Sequence, residues 1–262
     1  MRTRLVITGH SRGLGAALAA EAQRRGLAVL GVSRGAGGLP AVDPDVTLDW
    51  SAPALAQGAE VRLDLSDQSA LQTWVQSGMM HAFFRGSEQA LLINNAGLVS
   101  PIGPVGRLAV ADIFNSVSLN VSAALALASA WVEQTQGVVT DRRLVHVSSG
   151  AARSPYAGWN VYCATKAALD HHARCVQLEA EQTQAARGLR VCSLAPGIID
   201  TDMQSQIRQS DEADFPLRQK FDQLKASGAL LAAPDVASRL LDYCLSQRFG
   251  QQAVADLRDV EA

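Results

Sequence analysis

"ITGHSRGLGAAL", residues 7–18, follows a short apolar run and admits two incompatible readings. Gly9-His10-Ser11-Arg12-Gly13 fits G-x-S-x-G, the strand-to-helix turn that exposes a serine nucleophile; Thr8-Gly9-x-x-x-Gly13-x-Gly15 fits a glycine-rich loop for a nucleotide's phosphates. Both readings put a tight turn between a strand and a helix, so the decision falls to the rest of the chain. A serine elbow needs several strands ahead of it and an acid and a histidine behind it. Ser11 follows the first predicted strand, His146 falls within a predicted strand, and His171 and His172 fall within a predicted helix. A phosphate loop belongs directly after the first strand, where glycines let the backbone come close and the helix start favours negative charge. The spacing here is G-x-x-x-G-x-G, not G-x-G-x-x-G, and carries little weight by itself.

Outward from that stretch, the 262 residues suffice for one large α/β domain whose core needs neither disulfide nor metal, and a single domain over 1–262 is expected. A net charge of −2 with scattered basic residues predicts no nucleic-acid partner. Cys163, Cys175, Cys192 and Cys244 show no C-x-x-C spacing and the five histidines no metal-ligand pairing, so a reduced, metal-free protein is expected. "MRTRLVITGH" lacks the apolar run of a signal peptide, and the most apolar stretch, Ala123 to Val132, is too short to span a bilayer. The expectation is a cytoplasmic protein with no membrane partner.

Short β-branched or leucine-rich runs alternate with segments of helical period: "RLVIT" then 12–25, "AVLGVS", "AEVRLDL" then 67–78, "ALLINNAG" then 108–134, "RLVHVSS" then 158–184, "LRVCSLAPG" then 203–226, and a last helix 234–247 before a strand at Ala253 to Leu257. Strands alternating with helices predict a doubly wound α/β parallel sheet with helices on both faces. Residues 34–58, rich in glycine and proline, predict an irregular crossover, and 203–232, polar with small residues interspersed, a lid over a pocket.

"VYCATKAALD" and "VHVSSGAA" decide between the two readings. Tyr162 and Lys166, four apart, share a helix face. A phenol titrates near pH 10, and a cation within hydrogen-bonding range typically lowers such a value by about 1–3 units, which makes a general acid usable near neutrality. Ser149, thirteen residues earlier at a strand's carboxyl end, is placed to donate to the same substrate oxygen.

With these pieces in order, the sequence resembles the short-chain dehydrogenase/reductase family over nearly its whole length. The resemblance rests on "TGHSRGLG", "NNAG" at 94–97, Asn120 in "SLNVSA", Ser149, Tyr162-x-x-x-Lys166, and "PGIIDTDM" from Pro196. It implies a Rossmann-type fold and a set of roles. Tyr162 would protonate a carbonyl oxygen as a nicotinamide hydride reaches the carbon. Lys166 would depress the tyrosine and hold the nicotinamide ribose, Ser149 would fix the carbonyl, and Asn120 would anchor a proton-returning water chain. Thr8, Gly9, Ser11, Arg12, Gly13, Leu14 and Gly15 would form the phosphate loop; Asp64 and Leu65 would meet the adenine; Asn94, Asn95, Ala96 and Gly97 would line the adenine-ribose side. Pro196, Gly197, Ile199, Thr201 and Met203 would hold the carboxamide end.

No acid follows the second strand until Asp43, whereas Ser33 and Arg34 end it and Arg12 lies in the loop; forked guanidiniums there suit a 2′-phosphate, so NADP(H) is the expected cofactor. Within the family, the resemblance is to the sepiapterin reductase and bacterial benzil reductase groups. It implies an NADPH-dependent ketone or vicinal-dicarbonyl reductase, with Asp256, or Asp259 in its place, near the substrate; Trp159 is expected either as an aromatic wall of the pocket or as packing under the lid. The alternatives are a non-catalytic NADP(H)-sensing regulator and a reductase of carrier-linked 3-oxoacyl groups, for which Arg208, Arg218, Lys220 and Lys225 would supply a basic patch. Resemblance also implies a homodimer or homotetramer through helices 108–134 and 158–184.

Overall fold

In a computed structural model, residues 1–43, 46, 48–183 and 188–260 are described. Seven strands form one all-parallel sheet: β1 (Thr3–Thr8), β2 (Ala28–Ser33), β3 (Gly58–Arg62), β4 (Gln89–Asn94), β5 (Asp141–Val147), β6 (Leu189–Ala195) and β7 (Val254–Asp256). Their spatial order is β3-β2-β1-β4-β5-β6-β7. Order reverses between β1 and β4, the point at which sheets of this kind hold their ligands, outside the carboxyl ends of the strands. Strands such as "LVI" and "LLI" are fully buried because helices cover both faces.

One face carries α1 (Gly13–Arg24) and α9 (Ala233–Leu245), whose Leu14, Leu18, Val236 and Leu240 share a core cluster with Leu5, Ile7 and Val145. The other carries α2 (Gln68–Gln76), α3 (Met79–Phe84), α4 (Val110–Val117), α5 (Ala124–Thr135) and α6 (Asn160–Gln182), with Trp74, Phe83, Leu127 and Trp131 packed on Val6, Leu92 and Leu144. Position 184, the expected end of the last of these helices, lies outside the described residues.

Three features differ from the sequence reading. The helix expected over 108–134 is broken by a π-helical segment, Ser118–Ala123, between α4 and α5. By length and composition Val110–Thr135 is apolar enough to cross a membrane, yet it buries Leu127, Ala128 and Trp131 in the core. The helix expected over 67–78 is followed by a further turn, α3, and the one expected over 203–226 is two, α7 (Asp202–Arg208) and α8 (Arg218–Ala226).

The irregular crossover after β2 has a physical reason. His10 Nε2 lies 3.2 Å from Glu60 Oε2, and the same carboxylate oxygen accepts from the backbone nitrogens of Gly37 at 2.7 Å and Leu39 at 3.3 Å. Ala41 bridges to Glu60, so this arm lies along the sheet edge where a helix would otherwise stand.

Candidate active site

The phosphate-loop candidate is built by close approach. A Cβ on Gly15 would collide with the Gly9 carbonyl oxygen and with Asn95, so only glycine lets α1 start this near β1. Asn95 donates its amide to the Thr8 carbonyl at 2.9 Å, and the Thr8 hydroxyl accepts from the backbone nitrogens of Asn95 and Ala96, each at 3.0 Å. Thr8 and Asn95 thus lock the ends of β1 and β4 at the switch point. The start of α1 has no side-chain cap and no acid in its first turn, which leaves its N–H groups and dipole directed at the switch point. An uncapped helix start behind a glycine cradle fits a dinucleotide pyrophosphate.

At the expected adenine end, Asp64 accepts from the backbone and hydroxyl of Ser66 and stands 3.7 Å from the Arg34 guanidinium. Leu65 is buried beside it. Ser33 turns its hydroxyl to the Gly35 carbonyl. Arg12 stands 3.7 Å from Asp202. Asn94, expected along the adenine ribose, is instead buried, donating to the Ala124 carbonyl and to His146 Nδ1.

The serine-elbow reading finds no base. Beside Ser11, the His10 ring is fully buried on Glu60, while His146 and His172 pair with each other at 3.0 Å. Among the described residues no group of three His, Cys, Asp or Glu could hold a metal ion, and all four cysteines are free thiols.

The four proposed catalytic residues converge from three elements. Ser149 follows β5, Tyr162 and Lys166 share the first turns of α6, and Asn120 projects from the π-helical segment. Lys166 is buried and donates to the Val147 carbonyl at 2.7 Å, with its Nζ 5.8 Å from the Tyr162 ring centre. The expected depression of Tyr162 is not found. Burial pushes the phenol up to about 12, with the Ser149 hydroxyl acting in the opposite direction, so the phenol keeps its proton at neutral pH. Burial pushes Lys166 down to about 8, opposed by Asp170.

Asn120, expected to anchor a water chain, spends its side chain on protein. It accepts from the Leu98 nitrogen and donates to the Leu98 carbonyl, both at 2.8 Å, and donates to Thr165 Oγ1 at 3.1 Å. Gly97 lies against this amide and Lys166.

After β6, Ile199 pairs with Leu231 across the ends of the segment expected to form a lid; Pro196 is buried, and Thr201 packs on Gly13. The segment expected to form a lid shares a third apolar cluster with α6: Tyr162, Trp159, Ile207, Phe215 and Phe221, with Met203 at its margin. Trp159 stacks on Phe215 at 4.6 Å and is only 5% exposed, which is the packed arrangement of the two expected for it. Gly158, at φ +84°, admits the lid backbone at Asp214, where a Cβ would collide. Asp256 is likewise engaged: Arg258 grips its carboxylate through Nε at 2.8 Å and Nη2 at 2.7 Å, and Asp259 is exposed.

Sequence reasoning missed the lid aromatics Phe215 and Phe221, the His10–Glu60 clamp, and Asp170, which lies behind Lys166. Only Asp170 carried a signal, its four-residue spacing from the lysine.

These parts, a reversed-order parallel sheet with a glycine cradle at the switch point and a Ser/Tyr/Lys set at the strand ends, define a dinucleotide-dependent oxidoreductase. The chain belongs to the short-chain dehydrogenase family, whose model, described as short chain dehydrogenase, matches residues 3–212. It is 30% identical to a benzil reductase ((S)-benzoin forming) of Bacillus cereus over 253 residues, covering 95% of this chain and 97% of that one. It is 31% identical to the sepiapterin reductase of Meriones unguiculatus, covering 97% and 95%. Among solved structures, a short-chain dehydrogenase/reductase from Burkholderia vietnamiensis is 40% identical with a TM-score of 0.65, covering 99% of both chains. The protein is therefore an oxidoreductase related to benzil and sepiapterin reductases, in a family that works with NAD(P)(H).

Proposed function

We propose that this protein is an NADPH-dependent reductase of ketones, vicinal dicarbonyls among them. One observation carries the reading: a buried phenol, Tyr162, packs under Ile207, Phe215 and Phe221 with Ser149 beside it. Ser149 positions the carbonyl oxygen by donating to it, and Tyr162 gives up its proton as charge develops there. Lys166, cationic below about pH 8, favours the resulting phenolate. A bound NADPH supplies the hydride. Gly9 to Gly15 would hold its pyrophosphate, Ser33 and Arg34 its 2′-phosphate, and Asp64 and Leu65 its adenine. Ala96 and Gly97 would flank the ribose, and Gly197 to Met203 the carboxamide.

The carrier-linked alternative has less support: of the four basic residues it would use, Arg218 pairs with Glu212 and Asp222, and Lys225 with Asp200. The regulator alternative would have no use for Ser149, Tyr162 and Lys166 together. Val110, Phe114 and Val117 leave one face of α4 exposed and apolar, which supports a homodimer. The four free thiols accord with a cytoplasmic location.

The test mixes the protein with NADPH and a panel of diketones, pterins and acyl thioesters, following loss of NADPH absorbance. Turnover of diketones is expected. NADPH binding without turnover of any of them would favour the regulator.

A further inference from the structure

Asp170 is almost fully buried, one turn beyond Lys166 on α6. Its Oδ1 accepts from the hydroxyls of Ser148 at 2.6 Å and Ser193 at 2.7 Å, and its Oδ2 from Arg153 Nε at 3.1 Å. Arg153 in turn donates to the Ala255 carbonyl at 2.9 Å. One carboxylate thereby joins α6 to the ends of β5, β6 and β7, and Ser148 immediately precedes Ser149.

Burying a carboxylate is expensive; a neutral amide could still accept from the two serine hydroxyls, although its N–H2 would face Arg153 Nε where an acceptor now stands. What the amide would not supply is charge. We propose that Asp170 is a positioning residue of the reductase site, its negative charge holding the proton on Lys166 while its hydrogen bonds fix the strand end that carries Ser149. This inference rests on the reductase reading above.

The charges around the lysine leave this role to Asp170. Tyr162, on the same helix, is a neutral phenol, and His146 on β5, pushed by burial down to about 3, is uncharged. Cys192 on β6 is a thiol raised by burial, and Asp256 at the end of β7 is matched by Arg258. Arg153, following the turn after β5, approaches Asp170 and offsets part of its charge.

The test is the pH profile of kcat/KM for diketone reduction in the wild type and four variants. In Asp170→Asn the alkaline limb moves down by roughly one pH unit. In Arg153→Gln, which leaves the carboxylate less compensated, it moves up. Ser148→Ala and Ser193→Ala remove hydrogen bonds but no charge and leave the limb in place. Should Asp170→Asn fail to fold, the upward shift in Arg153→Gln decides. A limb unmoved in both charge variants, or moved equally in the serine variants, overturns the proposal while an active wild type keeps the reductase reading. A wild type that reduces no carbonyl overturns both.

Discussion

Asn120 and Leu98 exchange two hydrogen bonds of 2.8 Å, side-chain amide to backbone, across the gap between the π-helical segment and the end of β4. The π-helical segment sets Asn120 at this point of an otherwise α-helical run, a common location for such segments at functional sites. The amide holds the chain beyond Gly97, which lies against Lys166, in register with the catalytic helix.

Asn120→Ala leaves both Leu98 groups without their partner, at a cost of about 1–3 kcal/mol. Thermal unfolding reads this as a lower Tm. Turnover falls roughly tenfold or more while the protein remains folded, because misplacement near the lysine affects the chemistry beyond the stability.

Gly15→Ala puts a methyl group into the Gly9 carbonyl. Overpacking of this kind costs about 1–3 kcal/mol, and here it forces α1 away from β1. Dinucleotide titration by fluorescence is expected to show binding weakened by at least roughly tenfold; unchanged affinity would remove the cradle from the binding site.

Arg34→Asp tests the choice of cofactor. The guanidinium is exposed and only loosely held by Asp64 at 3.7 Å, so it is available to a 2′-phosphate. Loss of a charge-assisted contact is worth about 1.5–3 kcal/mol, a fall of roughly 10- to 100-fold in kcat/KM with NADPH relative to NADH. Unchanged preference would refute the assignment.

Acid stability is set at the opposite end of the sheet. Burial raises the Asp141 carboxyl, but hydrogen bonds from Arg143, Arg190 and Gln89 outweigh it and bring the value down to about 2. A carboxyl depressed by folding stabilises above its unfolded value of about 3.9, and that contribution is lost as pH falls from about 4 through about 2. The carboxylate is about one-quarter exposed, which trims the contribution to about 2 kcal/mol. Urea unfolding is expected to show Asp141→Asn less stable than the wild type at pH 6, with the gap closing below pH 4.

The sheet was legible because strands covered on both faces must be apolar, and "LVI" and "LLI" are. The placement of Tyr162 and Lys166 on one face of α6 was legible because their spacing encodes it. The π-helical break at Ser118–Ala123 was not, since the apolar pattern of one long helix continues through it. Neither was the grip of Arg258 on Asp256, which depends on a side-chain direction that spacing does not determine. His10 and Glu60 meet across 50 residues of chain, beyond the reach of any local pattern. The sign of the Tyr162 shift also escaped prediction, because proximity to a lysine was visible in the sequence and the depth of burial was not.

The central claim is that the Tyr162 hydroxyl delivers the proton to the reduced carbonyl, and Tyr162→Phe removes only that oxygen. Diketone reduction by this variant at pH 7, with NADPH binding measured in parallel, is expected to fall roughly 10²- to 10⁴-fold while the cofactor still binds. Turnover equal to that of the wild type would contradict the account.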